Sequence, residues 1–246
     1  MTATLMGFAT TATGRIDLTN MDKHWNFSGF EEADATEPIV AVYICADGDL
    51  VDGQKVVPRR NSDHDAIFDS DDDAPPSDTK KSRESSEILP NHWALFLELR
   101  NGGGRAVRVE IAPGWQPTRP VREATVLVRS LTAEDRKLQS IVRSRRFSVV
   151  SDGDTTVQQV LESMCHKLRH RYLFTESGEG SRYWVYAVVQ DLETAEILCE
   201  GEADAVEDEL SIRWESGGVN NGQRRIRRGM FTEWIIRGEE RKGIWF

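Results

Sequence analysis

The sequence predicts an α+β fold, a mainly antiparallel sheet with two packed helices. Three observations lead there. Residues Asn91 to Ile111 (NHWALFLELRNGGGRAVRVEI) carry two alternating apolar runs around a Gly-Gly-Gly turn, the pattern of a β-hairpin. Other strand-like segments precede and follow it, up to about Val150. Two helical stretches then begin near Thr155 and Ser181, so strands come first and helices after.

Taken in order, residues 1–34 are rich in Thr, Ala, Gly and Asn with scattered aromatics and no period, which predicts a loosely ordered arm. A single domain then spans 35–246. Pro38 to Ala46 (PIVAVYICA) is the first strand, apolar on both faces and so central in its sheet, with Cys45 as a buried thiol near its end. Residues 53–89 hold Asp71-Asp72-Asp73, Pro75-Pro76 and a Ser/Lys/Arg/Glu mixture too polar to offset chain ordering, and predict a disordered acidic insertion. The three aspartates lack the alternating ligand spacing of a calcium loop.

After the hairpin, the prolines of PGWQPTRP (113–120) predict an interrupted ladder with Trp115 on a loop. Val121 to Arg129 and Arg145 to Val150 read as further strands, joined by a short charged connection. Thr155 and Gln158 match a capping box, and Val157, Val160, Leu161, Met164 and Leu168 form one buried face of a helix. His166 and His170 have the i, i+4 spacing of a metal pair, but Lys167, Arg169 and Arg171 would repel a dication, which predicts solvent-facing histidines. A second helix runs from Ser181 to about Cys199 with Val185, Val188, Leu192, Ala195 and Cys199 buried. Beyond it come an acidic segment, a strand candidate at Leu210 to Trp214, a Gly/Asn loop and an arginine cluster.

Composition sets outer limits. With 246 residues and 39% hydrophobic content, the chain can bury a core without disulfides or metal. Its three cysteines form no C-x-x-C pair, which fits a reducing, cytoplasmic setting. No membrane span is expected, and no cofactor or metal is implied. The net charge of −10 disfavours nucleic acid as a partner, although much of it is concentrated between Asp63 and Glu87, and Arg224, Arg225, Arg227 and Arg228 form a local basic run that suits either an anion or a solvated face.

The residues Asn91-His92-Trp93, Val107-Arg108 and Gly178-Glu179-Gly180-Ser181-Arg182-Tyr183-Trp184 resemble the N-H-W, V-R and G-x-G-C-R-x-W boxes of an uncharacterised fungal domain-of-unknown-function family. More distantly, a histidine on a strand followed by a nucleophile at a helix start is similar to the circularly permuted NlpC/P60 papain-like fold of lecithin:retinol acyltransferase-like proteins. That resemblance implies His92 as general base, Ser181 as nucleophile in place of Cys, and Glu110 on the neighbouring strand as the group orienting the imidazole. Trp93, Arg182, Tyr183 and Trp184 would line the substrate site.

Two functions follow as expectations. One is a hydrolase or acyltransferase acting on an acyl or amide bond of a small-molecule substrate, or an inactive derivative of such an enzyme, since serine is a poor nucleophile without an activating base. The other is a non-catalytic binding or protein-interaction domain with an aromatic-lined cleft. Ser181 also has a plain structural use as a helix-start hydroxyl, and His92 one as a buried histidine bonded to backbone.

Overall fold

The computed structural model describes residues 23–48, 91–116, 119–150 and 154–232. The acidic insertion 53–89 and residues 1–22 of the N-terminal arm lie outside the described residues. The architecture is α+β. Its sheet contains β1 (Trp25–Gly29), β2 (Ile39–Asp47), β3 (Trp93–Leu99), β4 (Ala106–Gln116), β5 (Arg119–Leu131), β6 (Ile141–Ser148), β7 (Tyr172–Leu173) and, last in the chain, β10 (Met230–Phe231). The order is β10-β7-β5-β4-β3-β2-β6, antiparallel throughout this path, while β1 joins β5 by parallel pairing. The helices are α1 (Ala133–Leu138), α2 (Val157–His166), α3 (Ser181–Thr194) and α4 (Glu202–Leu210), and β8 (Ile212–Glu215) with β9 (Val219–Gln223) makes a separate hairpin.

Alternation along the strands sorts the two faces. Trp93, Leu95, Leu97, Val107, Val109, Ile111, Val126 and Val128 point to one side, where Val160, Leu161, Trp184, Val185, Val188, Val206 and Leu210 of α2, α3 and α4 complete the main core. Ala94, Phe96, Cys45, Ala106 and Leu131 point to the other and form a smaller cluster with Tyr43 and Ile141. Burial, with a lesser push from Asp47, drives the Cys45 thiol up to about 12, so it is an inert packing group. As its two apolar faces predict, β2 is an interior strand between β3 and β6.

Several local expectations are revised. The end of the expected loose arm is structured: β1 pairs from Trp25↔Val126, and a 3-10 turn follows at Glu32–Thr36. Partners about a hundred residues away supply the order that the local pattern lacks. Pro113 and Pro120 do not break the ladder, because a register shift between Pro113 and Gly114 lets pairing continue through Trp115↔Pro120 to Gln116↔Arg119. The side chain of Trp115 lies outside the described residues.

The second helix stops at Thr194, leaving Ala195 and Cys199 exposed, and the acidic segment after it forms α4. The Gly/Asn loop contains β9. His170 is buried, with its ring 5.5 Å from that of Trp25, whereas His166 is exposed; α2 ends between them, so the pair does not share a helix face. Among the described residues no helix is long and apolar enough to cross a membrane.

The capping box lies one residue later than the sequence spacing suggests. Thr156 Oγ1 accepts from Gln159 N–H at 3.3 Å, and Gln159 Oε1 accepts from Thr156 N–H at 2.7 Å. Thr156→Ala leaves an orphan amide at the start of α2, and we predict a loss of about 1 kcal/mol in urea unfolding. An unchanged midpoint would show that the cap contributes nothing.

Candidate functional site

The hairpin β3–β4 builds the site's acidic and basic groups. Ala94 faces Glu110 across the ladder, so Glu110, His92 two residues before Ala94, and Arg108 two residues before Glu110 share the face opposite the helices. His92 Nε2–H donates to Glu110 Oε2 at 3.1 Å. From β2, Asp47 N–H donates to the His92 carbonyl at 2.8 Å, which brings its side chain alongside. Arg108 joins them: its Nη2 donates to Asp47 Oδ2 at 2.5 Å and to Glu110 Oε2 at 2.6 Å, and its Nη1 to Gln139 Oε1 at 2.8 Å. The guanidinium also lies over the Phe96 ring at 5.3 Å.

The electrostatics follow from these contacts. Burial alone would push the Glu110 carboxyl up, but the His92 hydrogen bond and the Arg108 charge outweigh it and hold the group at about 2. For Arg108, burial opposes the charge and the two carboxylates more than offset it, so its pKa is raised. Sequence reading identified His92 and Glu110 and the structure brings them together. It missed Asp47, Arg108 and Gln139 as members of the cluster. The signal for Arg108 was available, since V-R-V-E puts Arg and Glu two apart on one strand face; Asp47 and Gln139 arrive from other elements.

Ligand atoms of Asp47, His92 and Glu110 lie within 4.8 Å of one another, a spread compatible with a metal ion. The site does not fit one well. Arg108 already bridges the two carboxylates and supplies the positive charge a dication would bring.

Ser181 opens α3 after Gly180, and α3 packs on the other side of the sheet from Glu110. Its Oγ accepts from the backbone N–H of Trp93 at 3.3 Å, and the residue is 7% exposed. Among the described residues no hydrogen bond joins Ser181 to His92. The two are neighbours through the backbone of residues 92 and 93, with the imidazole turned to Glu110 on one face and the hydroxyl reaching the strand from the other.

The remaining expected site residues divide by burial. Trp93 and Trp184 are both 0% exposed, and Trp184 Nε1–H donates to the Arg169 carbonyl at 2.8 Å. Arg182 is buried and spends its donors on the carbonyls of Leu210, Arg224 and Arg225 and on the Glu179 carboxylate. Tyr183 alone of the four is partly exposed, and its ring stacks with Tyr186 at a centroid distance of 6.4 Å. It borders a groove of about 820 Å³ with Tyr186, Arg225, Ile226, Arg227 and Arg228.

A family model described as Domain of unknown function (DUF7770) matches residues 75–232, which include both hairpin strands, α2, α3 and α4. No curated protein and no solved structure matches the chain.

Proposed function

The chain belongs to the DUF7770 family, and on that premise we propose that it is a non-catalytic derivative of an acyl- or amide-processing fold, acting as a ligand-binding domain. One observation carries this reading: among the described residues no hydrogen bond joins Ser181 to His92, because the Ser181 hydroxyl meets the Trp93 amide from the helix side of the sheet while the His92 imidazole turns to Glu110 on the other face. A nucleophile needs its base within hydrogen-bond reach, and here the two side chains approach the strand from opposite faces. With Trp93 and Trp184 in the core, Tyr183 is the expected aromatic that still borders a groove able to take a ligand.

A second reading has its own support. Glu110 on Nε2 leaves Nδ1 of His92 as the remaining ring nitrogen, the arrangement a Ser–His acyl-transfer site uses when the acid orients the base. In that reading Ser181 is the nucleophile, His92 the base and Glu110 the orienting group, on a small acyl or amide substrate. The boxes Asn91-His92-Trp93 and Gly178 to Trp184 support the finer part of the proposal, a fungal origin and a permuted papain-like ancestry. Free Cys45, Cys165 and Cys199 support a reducing, cytoplasmic location. We take 35–246 as one domain interrupted by the insertion 53–89.

Labelling separates the two readings. The chain and its Ser181→Cys variant, each with and without His92→Ala, are treated with a fluorophosphonate or iodoacetamide and mapped by peptide mass. The expected result is no modification at position 181 that depends on His92. Stoichiometric labelling there, abolished by His92→Ala in a protein that stays folded, would replace the binding reading with the catalytic one.

A further inference from the structure

The arginine run is held in a defined shape. Arg182, 4% exposed, donates to the carbonyls of Arg224 at 3.5 Å and Arg225 at 3.4 Å, fixing one end of the segment 224–229. At the other end Gly229 N–H donates to Tyr172 Oη at 2.8 Å, and the same hydroxyl donates to the Gly180 carbonyl at 3.0 Å. Gly229 lies so close to the Tyr172 ring and the Leu173 carbonyl that a Cβ there would collide with both. A buried arginine and a buried tyrosine therefore clamp the loop against the start of α3.

The clamped loop concentrates positive charge in a chain whose net charge is −10. Arg227 reaches Glu179 at 3.4 Å, but that carboxylate is shared with Arg182, and among the described residues no carboxylate pairs with Arg224, Arg225 or Arg228. Arg228 lies over the Tyr183 ring at 5.2 Å instead. The fixed backbone presents these guanidinium groups to solvent in a constant arrangement, and their summed positive potential favours an anion beside them.

Beside these guanidinium groups the groove offers ring faces. Tyr183 and Tyr186, one turn apart on α3, have interplanar angle 25° and are both partly exposed. Glu207 stands on the same wall and can accept from a hydroxyl or amino group. Guanidinium forks suit phosphate oxygens, tyrosine and arginine faces suit a planar ring, and about 820 Å³ holds a molecule carrying both. The geometry points to a nucleotide-type ligand in the groove between α3 and the loop 224–229, its phosphates on Arg225, Arg227 and Arg228 and its ring against the Tyr183–Tyr186 pair.

This inference names the ligand class of the binding reading above and rests on that reading. Calorimetric titration of the full chain with ATP, adenosine and tripolyphosphate tests it. ATP is expected to bind with one site per chain, about tenfold or more tighter than either fragment, and more weakly as salt is raised. Arg225→Ala/Arg228→Ala is expected to lower ATP affinity at least about tenfold with an unchanged circular dichroism spectrum, and Tyr186→Ala to weaken ATP while leaving tripolyphosphate unaffected.

Absence of ATP binding at millimolar concentration overturns the inference. So does tripolyphosphate binding as tight as ATP and indifferent to Tyr186, which marks a plain anion patch. The binding reading has its separate test in the labelling at position 181, so failed titration with no labelling removes the ligand class and not the reading.

Discussion

Arg108→Met is expected to destabilise the protein by about 3–5 kcal/mol in urea unfolding, because it leaves two carboxylates on the sheet face without their shared countercharge. The guanidinium side chain is 9% exposed and its partners Asp47 and Glu110 are 20% and 10% exposed, so water cannot take over its role. The attraction is strong only because the groups are desolvated, and the same desolvation makes removal of one partner costly. Adding Glu110→Gln to Arg108→Met should recover part of the loss, since one stranded charge disappears with it. If the single variant unfolds at the wild-type midpoint, the network has no bearing on stability.

The same network sets an acid dependence. Glu110, held at about 2 against the ordinary carboxyl value of 4.5, contributes stability that is fully present above the ordinary value. That stability is lost as the pH falls towards the folded value, an effect of about 3 kcal/mol over the whole window. Unfolding free energy should therefore drop between about pH 5 and pH 2, and the drop should be smaller in Glu110→Gln. Equal slopes in the two proteins would assign the acid sensitivity to other carboxylates.

Trp184→Ala is expected to cost about 3–5 kcal/mol, comparable to Arg108→Met but by a different mechanism. The indole is 0% exposed among the main-core residues and its N–H satisfies the Arg169 carbonyl at 2.8 Å. Truncation opens a cavity and strands that carbonyl. Trp184→Phe keeps most of the packing and should cost about 1–3 kcal/mol for the unpaired acceptor. Tyr183→Ala, on the groove, should change the unfolding midpoint far less. A larger loss from Tyr183→Ala than from Trp184→Ala would contradict this division between core and ligand surface.

Much of the architecture was legible because it is written in short-range pattern. The alternation of WALFLEL and VRVEI around Gly102, Gly103 and Gly104 specifies the hairpin and which residues face each way, and the spacing of Val157, Val160, Leu161 and Met164 specifies the face of α2. The pairing of His92 with Glu110 follows from that register. β1 was not legible, because its order comes from β5 about a hundred positions later. The acidic stretch that becomes α4 was hidden by its charges, although Ala203, Val206 and Leu210 keep one buried stripe.

By itself the sequence determined the α+β class, the central hairpin, the two main helices and the positions of His92, Glu110 and Ser181 along the chain. Only the tertiary structure decided what those side chains do: Ser181 meets the Trp93 amide, His92 turns to Glu110, and Arg108 with Asp47 closes an ion-pair network. It also moved Trp93 and Trp184 into the core and clamped the arginine loop over Tyr183. The physical reason is range. Periodicity records which face of an element is apolar, whereas the partner of a polar side chain depends on which distant elements pack against that face.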